Sequence, residues 1–235
     1  MTAPNVVSDT PERLADAFAR RFEDAAALAI RARGRFSCAV PGGSVASTFF
    51  PALVNADVDW SRVDVFWVDE RAVPPSDEAS NFGQASRLWL GHVPVDAARV
   101  HRMRGESPNL DEAALAYAND LTATLGTPPQ LDLVLLGVGA DGHVASVFPG
   151  RPEMSEAEGL VAAVRDAPKP PPERLTLTMA TLMAARSICI AAFEPGKWML
   201  VLRPALQSPD PGSSIPVDRL IAAHPDVTVM ASRAG

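Results

Sequence analysis

Residues 131–150 read LDLVLLGVGADGHVASVFPG, an apolar run that breaks into glycines and then delivers Asp141 and His143. The segment from Leu131 to Leu136 is apolar but for Asp132, as a strand covered on both faces would be, which is the habit of parallel rather than half-wetted sheets. The glycines after it let backbone amides approach a ligand closely. A histidine at the end of such a turn can move protons near neutral pH.

The same unit recurs on either side of this stretch. Upstream, Thr10-Pro11-Glu12 starts a helix that runs to Arg33 and is closed by Gly34. Phe36 to Val40 reads as a strand that breaks at Pro41-Gly42-Gly43, and Ser44 begins a helix reaching about Val54. Val63 to Val68 is a buried strand, 69–79 a proline-containing loop, and Ser80 caps a helix to about Leu90. Asn109 with Glu112 three residues on starts a helix ending near Gly126.

Downstream, an apolar run at 160–164 precedes a proline cluster at 168–172, strand-like alternation at 174–178 and a helix to about Arg186. Ser187 to Phe193 is a buried strand, Pro195 to Leu206 and Ile215 to Ala223 are helices, and Asp226 to Met230 is a last strand. Alternating strands and helices predict an α/β fold, a three-layer α/β/α sandwich around a mainly parallel, Rossmann-like sheet. One domain spans residues 1–235. In such sheets ligands sit beyond the carboxyl ends of the strands, so the loops at 41–44, 69–81 and 137–146 are expected to converge on one crevice.

Composition narrows the partners. With 21 Lys and Arg against 28 Asp and Glu, the net charge is −7 and no basic run appears, which argues against nucleic acid. No apolar run reaches the ~18 residues of a membrane span, and the N-terminus lacks the pattern of a signal peptide, so a cytoplasmic protein is expected. Cys38 and Cys189 lie in apolar strands without metal-ligand neighbours and read as buried thiols. No metal or cofactor is expected.

Three constellations carry chemistry. Gly42-Gly43-Ser44 before a helix would expose amides to an anion; taken alone, an ordinary strand-to-helix turn with Ser44 as N-cap is the favoured alternative. Asp69-Glu70-Arg71 follows the apolar FWV, and Arg71 suits bidentate contact with a phosphate; a salt-bridge cluster fixing the loop is the alternative. Ser80-Asn81 either only caps the next helix or also binds sugar hydroxyls. His143 needs an orienting carboxylate, which spacing leaves as Asp141 or Glu70. His92, His101 and His224 have no comparable setting. Lys169, Arg174 and Lys197 are candidate cations, and Lys197 stands out because a lysine in a helix's first turn opposes the dipole unless an anion compensates.

PGGS at 41–44, FWVDERAVP at 66–74, SN at 80–81, LDLVLLGVGADGHVASVFPG and PKPPPERLTLT at 168–178 together resemble the glucosamine-6-phosphate isomerase/6-phosphogluconolactonase family, on its lactonase side. The resemblance covers most of the chain in order. It implies hydrolysis of 6-phospho-D-glucono-1,5-lactone, with His143 as the base, Asp141 or Glu70 as its partner, and amides of the Gly137–Gly142 loop, Gly139 among them, facing the developing oxyanion. It implies that Gly42, Gly43, Ser44, Asp69, Arg71, Asn81, Arg174 and Lys197 contact the sugar phosphate. One departure stands out: the family commonly continues its GGS with Thr-Pro, where this chain has Val45-Ala46.

The implied partner is a small sugar-phosphate lactone, and the expected assembly is a monomer, with a weak homodimer as the alternative. A glucosamine-6-phosphate deaminase/isomerase shares the fold and a similar Asp-Glu loop, and a non-catalytic sugar-phosphate sensor would keep the pocket without turnover. Arg71 and the PKPPPER segment favour the lactonase.

Overall fold

The computed structural model describes residues 4–154, 159–193, 196–206 and 210–232. In chain order the elements are β1 (Asn5–Ser8), α1 (Pro11–Arg33), β2 (Phe36–Val40), α2 (Gly43–Leu53), β3 (Val63–Trp67), β4 (Asp69–Arg71), α3 (Asn81–Leu88), β5 (Val100–His101) and α4 (Leu110–Leu125). The second half holds β6 (Leu133–Gly137), β7 (Val161–Val164), β8 (Arg174–Leu177), α5 (Met179–Met183), β9 (Ile188–Ala192), α6 (Lys197–Leu206), α7 (Pro216–Ala223) and β10 (Val227–Ala231). Pro195, the expected start of α6, lies outside the described residues.

Seven strands pair in parallel in the order β1-β10-β9-β6-β2-β3-β5, flanked by helices. The chain leaves β2 toward β3 and leaves β6 toward β9, so the direction of winding reverses between the neighbours β2 and β6. That reversal opens a crevice at their carboxyl ends.

Capping signals locate several helices correctly. Thr10 Oγ1 accepts the Arg13 amide at 3.4 Å, Pro11 fills the first turn, and Gly34 ends α1 at φ 77° with its N–H on Ile30 O. Ser80 Oγ accepts the Gly83 amide at 3.0 Å, and Asn109 Oδ1 accepts the amides of Asp111 and Glu112. In α1, Leu14, Phe18, Phe22, Ala26 and Ala29 recur at helical spacing and form its buried face. Phe18 stacks on Phe49 of α2 at 4.8 Å, and Phe22 meets Phe36 of β2 edge-on at 5.0 Å. Each such ring contributes about 2–3 kcal/mol by burial.

Four expectations are corrected. Ser44 does not cap α2: Gly42 is the cap and Gly43 the first helical residue. Segment 69–71 is strand rather than loop, because its backbone pairs antiparallel with β8, and β8 with β7, making a second, three-stranded sheet. α5 stops at Met183, short of Arg186. The short strands β1 and β5, each at an edge of the large sheet, were not anticipated.

Away from the crevice, buried Asp64 gathers cations around the start of β3. Arg99 Nη1 reaches both its oxygens at 3.1 Å, and His101 Nε2 reaches Oδ1 at 3.3 Å while its Nδ1 lies 2.9 Å from Asp120. Two carboxylates on two ring nitrogens favour imidazolium, which donates from both. Burial opposes that charge, but the bonds to Asp64 and Asp120 outweigh it and raise the His101 pKa. Both cysteines are free and buried, and burial pushes the Cys189 thiol up to about 12. Among the described residues no helix is long and apolar enough to cross a membrane.

Candidate active site

The crevice is a cavity of about 240 Å³ lined from every strand end that meets it. β2 supplies Pro41 to Ser44, β4 supplies Asp69 and Arg71, β6 supplies Gly137 to Gly139 and the loop bearing His143, and the chain after β9 supplies Phe193 and Lys197. Lys169 and Arg174 close it from the proline segment and β8.

The loop after β6 folds back on itself and fixes the histidine. Gly139 N–H donates to His143 O at 2.8 Å, Gly142 N–H donates to Gly139 O at 3.0 Å, and Val138 bridges Val144. Asp141 Oδ1 accepts the His143 amide at 3.2 Å and lies 2.5 Å from Nδ1. A proton on Nδ1 then leaves Nε2 with its lone pair, and among the described residues no hydrogen bond to Nε2 occurs. A Cβ at position 139 would fall 2.0 Å from His143 Cε1, so only glycine lets the ring lie flat there. Phe148 covers another side at 4.7 Å between ring centroids.

Burial alone would raise the Asp141 carboxyl. The charge of His143 and the hydrogen bonds it makes reverse that, leaving the carboxyl below its ordinary value. Asp141 therefore stays ionised through the neutral range, the state that can hold an imidazole in one tautomer and stabilise its protonated form.

The same cavity is also lined by cations. Arg71, Lys169, Arg174 and Lys197 all line it, with the N-terminus of α2 among them. Arg71 Nη1 donates to Ala79 O at 2.6 Å, and its buried Nε has no partner among the described residues. Arg174 is more constrained: Nε donates to Pro171 O at 3.1 Å, Nη2 to Lys169 O at 2.8 Å, and Nη1 to Ser146 Oγ at 3.4 Å. Burial, reinforced by the charge of Arg71 and opposed by Asp69, lowers the Arg174 pKa. A guanidinium in that position still holds its proton at any working pH. Clustered cations in one small cavity fit a compact dianion such as a phosphate monoester.

Three residues of the expected site have other work. Glu70 does not orient His143: its carboxylate is buried at the start of α3, where Oε1 accepts the amides of Arg71 and Asn81 and Oε2 accepts Phe82 N–H and Ser80 Oγ–H. Burial raises its pKa against those amides. Asn81 does not line the cavity; its Nδ2 donates to Asp69 O and Oδ1 at 2.8 and 3.0 Å, and its Oδ1 occupies the place a Cβ on Gly42 would take, 1.8 Å away. The Gly43 amide faces a side chain rather than the cavity, donating to Gln84 Oε1 at 2.8 Å.

Sequence reasoning passed over Ser146, Phe148 and Gln84. Ser146 and Phe148 sit in the quoted stretch 131–150, so their nearness to His143 was available from the chain. Gln84 lies one turn into α3 and carries no local signal of its contact with α2.

The family model described as glucosamine-6-phosphate isomerases/6-phosphogluconolactonase matches residues 9–229. The 6-phosphogluconolactonase of Mycobacterium tuberculosis is 38% identical over 193 residues, covering 78% of each chain. That of Streptomyces coelicolor is 38% identical over 208 residues, covering 79% of each. The solved structure of a 6-phosphogluconolactonase from Shewanella baltica has a TM-score of 0.83 at 26% identity, covering 97% of both chains.

Proposed function

Since the chain belongs to the glucosamine-6-phosphate isomerase/6-phosphogluconolactonase family, we propose that it hydrolyses 6-phospho-D-glucono-1,5-lactone to 6-phospho-D-gluconate in the oxidative pentose phosphate pathway. The observation that carries this reading is the Asp141–His143 pair at 2.5 Å, with His143 lining one cavity together with four cationic side chains.

In the proposed mechanism His143 Nε2 removes a proton from water as the oxygen attacks C1 of the lactone. The resulting imidazolium is stabilised by Asp141, and its proton passes to the ring oxygen as the tetrahedral intermediate collapses and the C1–O bond breaks. The new carboxylic acid then ionises, so one proton is released per turnover. Amides of the loop Gly137–Gly142 are assigned as donors to the developing oxyanion, those of Gly139 and Gly142 excepted because they already donate to His143 O and Gly139 O.

At the other end Arg71, Arg174, Lys169 and Lys197 hold the phosphate, with Ser44 and Gly42 at the helix terminus beside it. Phosphate binding far from C1 serves to orient the lactone over His143. Asp69 is read as an acceptor for sugar hydroxyls. The proposed enzyme is a cytoplasmic monomer that needs neither metal nor cofactor.

Freshly prepared phosphorylated lactone, corrected for spontaneous opening, should disappear in proportion to added protein while one proton is released per lactone. Glucosamine 6-phosphate should release no ammonia. Ammonia release would favour the deaminase, and binding without turnover the sensor.

A further inference from the structure

Ser146 stands between Asp69, the only acidic side chain of the cavity wall among the described residues, and Arg174, the most buried cationic one. It is fully buried, its amide donates to Thr176 Oγ1 at 3.1 Å, and its Oγ donates to Asp69 Oδ2 at 2.7 Å while accepting from Arg174 Nη1 at 3.4 Å. Asp69 is pinned from its other side by Asn81, and Arg174 by the carbonyls of Pro171 and Lys169. Among the described residues Asp69 and Arg174 form no ion pair, although both are buried and face the same space.

A carboxylate and a guanidinium that close in a low-dielectric wall would pair directly, and the pair would offer little charge to a ligand. A hydroxyl interposed between them satisfies one donor and one acceptor at once and keeps both charges apart. Its position three residues after His143 also joins the loop of the proposed base to the β4–β8 sheet that carries Arg71 and Arg174.

Resting on the functional reading above, we propose that Ser146 is a positioning residue for substrate specificity: it separates Asp69 from Arg174, so that the carboxylate remains an acceptor for sugar hydroxyls and the guanidinium remains a phosphate ligand. It does not touch the reacting atoms. Its loss should therefore weaken binding of the phosphorylated substrate and leave the chemical step nearly intact.

The test compares wild type, Ser146→Ala and Ser146→Cys on the phosphorylated lactone and on unphosphorylated glucono-1,5-lactone, with thermal unfolding of each. Losing a hydrogen bond to charged groups predicts a KM for the phosphorylated lactone raised roughly tenfold in Ser146→Ala, with kcat within about threefold of wild type. The cysteine, a weaker donor, should fall between. Activity on the unphosphorylated lactone, which loses only the Asp69 contact, should fall less than activity on the phosphorylated one. An unchanged KM, or an equal fall on both substrates accompanied by a lower Tm, overturns the proposal. Wild type that fails to prefer the phosphorylated lactone would instead overturn the functional reading on which it rests.

Discussion

Asp141 Oδ1 accepts the backbone amide of His143 at 3.2 Å and lies 2.5 Å from Nδ1 of the same residue, so one carboxylate oxygen fixes both the turn and the ring it carries. In Asp141→Asn the side-chain oxygen can still accept from the amide, but the charge that stabilises an imidazolium is gone. Expected is a fall in kcat of ~10²- to 10⁴-fold on lactone hydrolysis, with KM little changed. A loss confined to KM would show that Asp141 contacts substrate instead.

Gly139 makes an independent claim on the same ring. Because an added Cβ would meet His143 Cε1 at 2.0 Å, Gly139→Ala should push the imidazole off Asp141 and lower kcat by at least ~10-fold while the fold persists. Wild-type kcat in this variant would mean that the ring has room the structure does not show.

Arg71 tests the anion end. Arg71→Ala should reduce kcat/KM on the phosphorylated lactone by ~10-fold or more and leave hydrolysis of the unphosphorylated lactone nearly unchanged. A uniform loss on both substrates would place Arg71 in the chemistry.

Glu70 separates structure from catalysis. Glu70→Gln replaces one acceptor oxygen with an NH₂ group facing donors at the start of α3, which should destabilise the protein by about 1–3 kcal/mol, read as a lower Tm. Its kcat at a temperature where it remains folded should match wild type. A large fall in kcat with normal Tm would return Glu70 to the catalytic group.

The Asp64–His101 cluster gives stability a pH dependence. The folded pKa of His101 is raised, so its contribution is complete below the unfolded value of ~6.5 and is lost as pH rises through the folded value. For Asp64, burial raises the pKa, but the bond from His101 and the charges of Arg35 and Arg99 outweigh it and hold the carboxyl below its ordinary value. Its contribution is therefore present above the unfolded carboxylate value of ~3.9 and lost as pH falls through the folded one. Unfolding of wild type and His101→Gln across pH should show the largest gap below ~6.5, about 1–3 kcal/mol, shrinking toward alkaline pH. A gap that widens with pH would contradict the cluster as described.

Much of this was legible in the chain because the signals were local. Mainly apolar runs located β2, β3, β6 and β9, and the side-chain caps at Thr10, Ser80 and Asn109 located their helices. The convergence of the loops followed from strands running parallel. What escaped depended on contacts distant in sequence. The pairing of β4 with β8 joins segments about a hundred residues apart, and nothing in DER marks it as strand. Glu70 and Asn81 were misplaced for a similar reason: a buried carboxylate gathering the amides of a helix start looks, along the chain, like any charged residue beside a site. Ser146 takes its meaning only from Asp69 and Arg174, which the fold brings to it.

The central claim is that His143 is the base, and its removal is the most direct test. Hydrolysis of freshly prepared 6-phospho-D-glucono-1,5-lactone, corrected for spontaneous opening, should fall by ~10²- to 10⁴-fold in kcat for His143→Ala, with Tm near wild type. Equal rates for the two proteins would contradict the account.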